Sequence, residues 1–152
     1  EKGPLYDIVR RHFGIVDDFE IVDITESKIA GSRKKTAELQ NLLFEAAESG
    51  DTMALAAYSE AARELALIVY GAYKQLDFSG GPVCISFVGG LTNAKDLIVE
   101  PLKHEISVAI PRAVFAEPLL SPCEGAILFA VEKFIPDELT AIKRKLLTMT
   151  SM

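Results

Sequence analysis

The stretch VCISFVGGLTNAKDLIVEPLKHEI, Val83 to Ile106, decides how the rest of the chain is read. Its first six residues, Val83 to Val88, are mostly apolar and rich in β-branched and aromatic side chains. That composition predicts a strand buried on both faces, as in a parallel sheet. Gly89-Gly90 ends the strand, and Leu91-Thr92-Asn93 leads into a helix predicted from about Ala94 to Glu105. Thr92 or Asn93 suits the N-cap, and Asp96 suits the first turn. Pro101 falls inside that helix, which predicts a kink or break near Glu100. Ile106 to Ile110 is a second short apolar run, read as a second strand.

Glycines at a strand's carboxyl end let a ligand lie against bare main chain. A helix starting just beyond points free amides at the same spot, and ligands of open α/β sheets sit beyond the strands' carboxyl ends. Gly89, Gly90, Leu91, Thr92 and Asn93 are therefore the candidate binding residues. A plain strand–turn–helix corner carries the same pattern.

Upstream, Ser79-Gly80-Gly81-Pro82 is a turn cluster. Before it the period is helical. Tyr58, Ala62, Leu65, Val69, Ala72 and Leu76 recur in steps of four and three, predicting one buried seam on a helix from Thr52 to Leu76. Leu39, Leu42, Leu43, Ala46 and Ala47 stripe a helix from Lys34 to Ser49. Between the two, Gly50 suits a left-handed helix end and Asp51 suits an N-cap. Leu5, Ile8, Val9 and Phe13 mark a first helix stopped by Gly14. Phe19 to Ile24 alternates imperfectly and reads as a strand or extended linker. Glu26 to Ala30 reads as a short helix or turn.

Downstream, Pro111 to Leu120 reads as irregular. Ser121-Pro122-Cys123-Glu124 has the form of a capping box with proline at the first helical position. Pro136-Asp137-Glu138 begins a last helix, with Lys143, Arg144 and Lys145 placed near its negative end. The expected organisation is one domain over residues 1–152. It has a mainly helical region (5–78), a strand and helix element (79–135) and a C-terminal helix (136–152).

Composition narrows the function. The 152 residues carry 22 acidic against 16 basic side chains, a formal net charge of −6. No clustered basic field is present to meet nucleic acid or an anionic membrane. No apolar run approaches the roughly 18 residues that span a bilayer. Two histidines, His12 and His104, cannot make a three-histidine metal site. Two cysteines, Cys84 and Cys123, cannot make a disulfide framework, and are read as buried reduced thiols of a cytoplasmic protein. No secretory leader opens the chain. It opens without Met, which favours reading Glu1 as a cleavage point or the boundary of an excised fragment over reading the chain as a truncated relative. Arg33, Lys34 and Lys35 sit at a helix start, which the dipole disfavours; an anion site or an exposed turn would account for them.

Three segments, taken in order, resemble one family. AAESGDTMALAAYSEAARELALIV (Ala46 to Val69) is similar to the helical pair of the BadF/BadG/BcrA/BcrD ATPases, which include the N-acetylglucosamine kinases. VCISFVGGLTNAKDLIVEPLKHEI is similar to their adenosine-binding strand, Gly-Gly turn and helix. AEPLLSPCEGAILFAVEKF (Ala116 to Phe134) is similar to their closing Pro-x-x-Gly-Ala helix. The resemblance implies an α/β fold: the helix-rich C-terminal half of an actin-like, RNase-H-like ATPase domain. It implies ATP with Mg as the cofactor of the intact protein, with Gly89 and Gly90 against adenine and ribose. Leu91, Thr92 and Asn93 would line the edge, and Lys34 to Gly50 would supply another wall. The sugar or other small acceptor would be held by the other half.

The family's Asp-Gly-Gly phosphate loop and catalytic Asp have no counterpart here. Gly80-Gly81 follows Ser79, and Gly89-Gly90 follows Val88. Phosphoryl transfer needs such groups, so no catalytic residue and no metal ligand is assigned, and this chain alone is expected to be inactive. Asp-Gly-Gly-x-x-x-Thr is expected upstream of Glu1. The alternatives are a dehydratase-activating ATPase, or a non-catalytic nucleotide-binding or helical interaction module. The activators hold an iron–sulfur cluster through paired, exposed cysteines, which neither Cys84, within the expected strand, nor Cys123, in a helix's first turn, is expected to offer. The alanine-rich helices also allow a homodimer.

Overall fold

A computed structural model describes residues 2–150, apart from the side chains of Leu91, Thr92, Lys95 and Thr150. The described chain is mostly helical, with one two-stranded parallel sheet. It divides into two compact units. The first comprises residues 1–77 with 94–109, and the second residues 78–93 with 110–152.

The first unit holds five helices: α1 (Pro4–Phe13), α2 (Glu20–Ile24), α3 (Arg33–Glu48), α4 (Thr52–Gln75) and α5 (Glu100–Ala109). Gly14 ends α1 at φ +68° and Gly50 ends α3 at φ +78°, backbone states that glycine reaches without steric cost. Phe19 to Ile24 is not extended. Its last five residues form α2, which runs on into a π-helical turn, Thr25–Ile29. A short imperfect alternation cannot separate strand from helix, and the local bonds favour the helix. The Thr25 and Ser27 hydroxyls donate back to the carbonyls of Ile21 and Asp23.

The core is a seam between α4 and α5. On α4 the buried residues are Ala54, Tyr58, Ala62 and Ala66, spaced by four. On the facing element they are Ile98, Leu102 and Ile106, also spaced by four. Rows of this spacing interdigitate, and the small alanines admit the large side chains opposite. The expected seam through Leu65 and Val69 runs along the flank instead, half-buried, and Leu76 is exposed. Ile106 to Ile110 is not a strand: Ile106 belongs to α5, with no exposed surface. Its β-rich composition is outweighed by registry with the leucine and isoleucine one turn back. Pro101 marks the change from a π-helical turn, Lys95–Val99, to α5. Proline offers no amide to the carbonyl four residues before it, and a widened turn ahead relieves the clash.

One carboxylate ties α1 to α4. Asp51 is almost fully buried. One oxygen accepts from the amides of Met53 (2.9 Å) and Ala54 (3.0 Å), capping α4. The other accepts from the Leu5 amide (2.8 Å), capping α1 across 46 residues of chain. These bonds, led by that from Leu5, hold the Asp51 carboxyl below the usual carboxylate range, against desolvation that opposes the shift. A methyl group on Gly3 would lie 2.5 Å from the Asp51 carboxylate, so only glycine fits there.

The second unit holds strands β1 (Val83–Ile85) and β2 (Ala113–Phe115), then α6 (Pro122–Phe134) and α7 (Leu139–Thr150). The strands pair in parallel with Val83 opposite Ala113. The expected six-residue buried strand is therefore three residues long and half-covered. Val83 is buried, Cys84 exposed, and Val88 is 62% exposed. The segment read as irregular supplies β2. The capping box forms as expected, with the Ser121 amide 2.7 Å from the Glu124 carboxylate and the Glu124 amide 3.4 Å from Ser121 Oγ. Cys123 is exposed too, so the reading of both thiols as buried is corrected. Lys143, Arg144 and Lys145 fall mid-helix on α7, away from its end.

Asp51→Ala is expected to lower Tm by about 5 °C or more, since two helix ends lose their cap. Because the Asp51 pKa is depressed by folding, its contribution is present above the unfolded value of about 3.9 and is lost as pH falls through the folded value. Asp51→Asn should flatten that acid limb in melts recorded between pH 2 and 6. Tyr58 tests the opposite case. Its hydroxyl is buried; Gln40 is the polar group bearing on it, but no bond of normal geometry forms. Burial raises its pKa. Tyr58→Phe should leave Tm unchanged or raise it, because no bond is lost and an unpaired group leaves the core.

Candidate functional site

The candidate residues lie in the second unit, just beyond β1. Three interactions fix the approach to them. The Ser86 hydroxyl donates to the Ala116 carbonyl at 2.8 Å. The Phe87 and Phe115 rings stack at 5.8 Å between centroids. At the entrance to β1, the Arg112 guanidinium donates to the Gly81 carbonyl at 2.8 Å. Gly89 then turns the chain at φ +115°, and Gly90–Asn93 form one 3₁₀ turn.

The two glycines differ in why they are glycine. Gly89 holds a backbone angle that L side chains rarely adopt. Gly90 does not. Both are exposed, and a methyl group on either would meet nothing within 4 Å. Neither conformation nor crowding inside the chain thus requires glycine at position 90. Asn93 is exposed beside them. Leu91 and Thr92 contribute backbone to the turn, and their side chains lie outside the described residues.

The expected row of free amides does not follow the glycines directly. The chain passes through the 3₁₀ turn and the π-helical turn before α5 begins at Glu100. The amides of Leu97 and Ile98 are both bonded to the Ala94 carbonyl. Among the described residues the junction offers the exposed main chain of Gly90 and the exposed side chain of Asn93. Lys103 pairs with Glu100 at 2.9 Å, and the side chain of Lys95 lies outside the described residues. Among the described residues no group of three or more His, Cys, Asp or Glu converges to hold a metal.

His12 stacks edge-on against Phe13 at 4.6 Å in the last turn of α1, and His104 is exposed on α5. Arg33, Lys34 and Lys35 do open α3 and are exposed, with Lys34 at 4.0 Å from Glu38. A different polar cluster escaped the sequence reading. Tyr6 Oη donates to Asp18 (2.7 Å) and accepts from Lys2 Nζ (2.7 Å) and Arg10 (2.9 Å). Lys2 (3.1 Å) and Arg10 also pair with Asp18 directly. The spacing of Tyr6 and Arg10 by four places them on one face of α1, and Lys2 precedes the helix. Their meeting with Asp18 depends on the turn at Gly14.

No protein-family model, no curated protein and no solved structure matches the chain. No helix among the described residues is long and apolar enough to cross a membrane.

Gly90→Ala is expected to fold with an unchanged Tm. Gly89→Ala should cost about 1–3 kcal/mol, seen as a drop of several degrees, because a side chain is forced into a positive-φ state. Equal melts for the two variants would show that position 89 is not strained.

Proposed function

We propose that the chain is the C-terminal, adenosine-binding part of a BadF/BadG/BcrA/BcrD-type ATPase of the N-acetylglucosamine-kinase kind. Bare, solvent-open main chain at Gly90, beyond the carboxyl end of a parallel strand, carries this reading. A glycine that its own fold does not require is explained by something flat lying against it. Adenine meets that demand through stacking and edge hydrogen bonds, without charge. In the intact protein ATP would supply the phosphoryl group and Mg its counter-charge. Gly89, Gly90 and Asn93 would seat and orient the nucleoside, and a preceding half would hold the phosphates and the acceptor. By this reading the chain is cytoplasmic, and alone it transfers nothing.

The exposure of Cys84 and Cys123 removes one ground for preferring a kinase over a dehydratase-activating ATPase. A dehydratase-activating ATPase of the same family is the second reading. A stand-alone nucleotide-binding module is separable by calorimetry. With ATP-Mg, this chain alone is expected to give weak or no measurable heat, and binding should be recovered when the first half is supplied. Gly90→Val in the intact protein should abolish that binding while leaving Tm unchanged. Unaltered ATP affinity in the variant would overturn the site, and tight binding by this chain alone would favour the module.

A further inference from the structure

Residues 15–30 are bounded by two glycines in left-handed conformations, Gly14 at φ +68° and Gly31 at φ +76°. The segment between them contains α2 and its π-helical turn, and it spans an apolar cleft. Two cavities, of about 360 Å³ and about 470 Å³, lie along it. Both are walled by Leu5 and Val9 of α1 and by Ile21 of the segment. The larger continues against Leu39 and Leu43 of α3. Each is of the size that small-molecule sites occupy.

The segment is fastened at one end by charge. Asp18 receives Lys2, Tyr6 and Arg10 together, and Tyr6, Arg10 and Asp18 line the mouth of the smaller cavity. Lys2 lies over the Tyr6 ring, 4.2 Å from its centroid. The Lys2 side chain is 66% exposed and that of Asp18 50%. Exposed pairs of this kind hold weakly and are screened by salt. Two cations and a phenol thus converge on one carboxylate beside the apolar walls of the cleft. Asp51 also lines this cavity, with both its oxygens committed to backbone amides.

We propose that this cleft binds a single-chain amphiphile bearing one carboxylate, and that residues 15–30 are a hinged flap over it with Asp18 as its latch. The ligand's carboxylate takes the place of Asp18 against Lys2, Tyr6 and Arg10, and its apolar tail runs along Leu5, Val9 and Ile21. Charge complementarity selects the head: displacing Asp18 leaves two cations facing one anion. The apolar walls select the tail. The site lies wholly in the first unit and does not depend on the nucleotide reading.

The test is a titration with decanoate, and with decanol as the uncharged control, followed by amide chemical shifts. Decanoate should shift the amides of Leu5, Val9, Ile21 and Leu39 in the unaltered chain. It should bind at least about threefold more tightly than decanol. Asp18→Asn should raise decanoate affinity about three- to tenfold by removing the competing carboxylate, and raise that for decanol less. Adding Arg10→Gln should abolish the gain. Shifts located elsewhere, no binding by either protein, or equal affinities for decanoate and decanol would each overturn the proposal. The decanoate-to-decanol ratio in the unaltered chain decides the matter even if the Asn variant does not fold.

Discussion

A single buried carboxylate holds the first unit in register. Free amides at a helix start must find acceptors or water, and two such starts, those of α1 and α4, converge on Asp51. An ionised side chain in the interior would be costly on its own; three amides and two helix dipoles offset that cost. The arrangement also demands an absence. Gly3 has no side chain because the Asp51 oxygen occupies the space one would need. The capping role of Asp51 was legible as Gly50-Asp51 before a helical run. Its second bond, to a residue 46 positions away, was not, because nothing local encodes it.

Around that joint, packing follows from residue size. The alanines of α4 let Ile98, Leu102 and Ile106 approach closely, and α5 is a helix because those three fall at one spacing. The same letters, Ile106 to Ile110, read as a strand when taken alone. Five apolar residues fit either period, and the tie is broken by Leu102 and Ile98 upstream. Phe19 to Ile24 departs from its expected extended form for the same reason: the segment is too short for its period to show.

The second unit was read with the opposite bias. Composition made Val83 to Val88 a strand covered on both faces, yet only Val83 to Ile85 pairs, and Cys84 and Val88 face solvent. β-branched content measures fitness for a pleated surface, not how many neighbours are present to cover it. The Gly-Gly turn was placed correctly, and the structure separates the roles of its glycines by backbone angle, which sequence does not carry. The amides expected just beyond were displaced by the 3₁₀ and π-helical turns that Pro101 and the intervening polar residues favour.

The proposed function rests on the exposed main chain at Gly90. Amide chemical shifts recorded with adenosine, which carries no phosphate, test it most directly. Millimolar adenosine should shift the amides of Gly89, Gly90 and Asn93 in this chain and leave those of α1 in place. Shifts confined to the first unit, or none at any of these positions, would contradict a nucleoside seat at the end of β1.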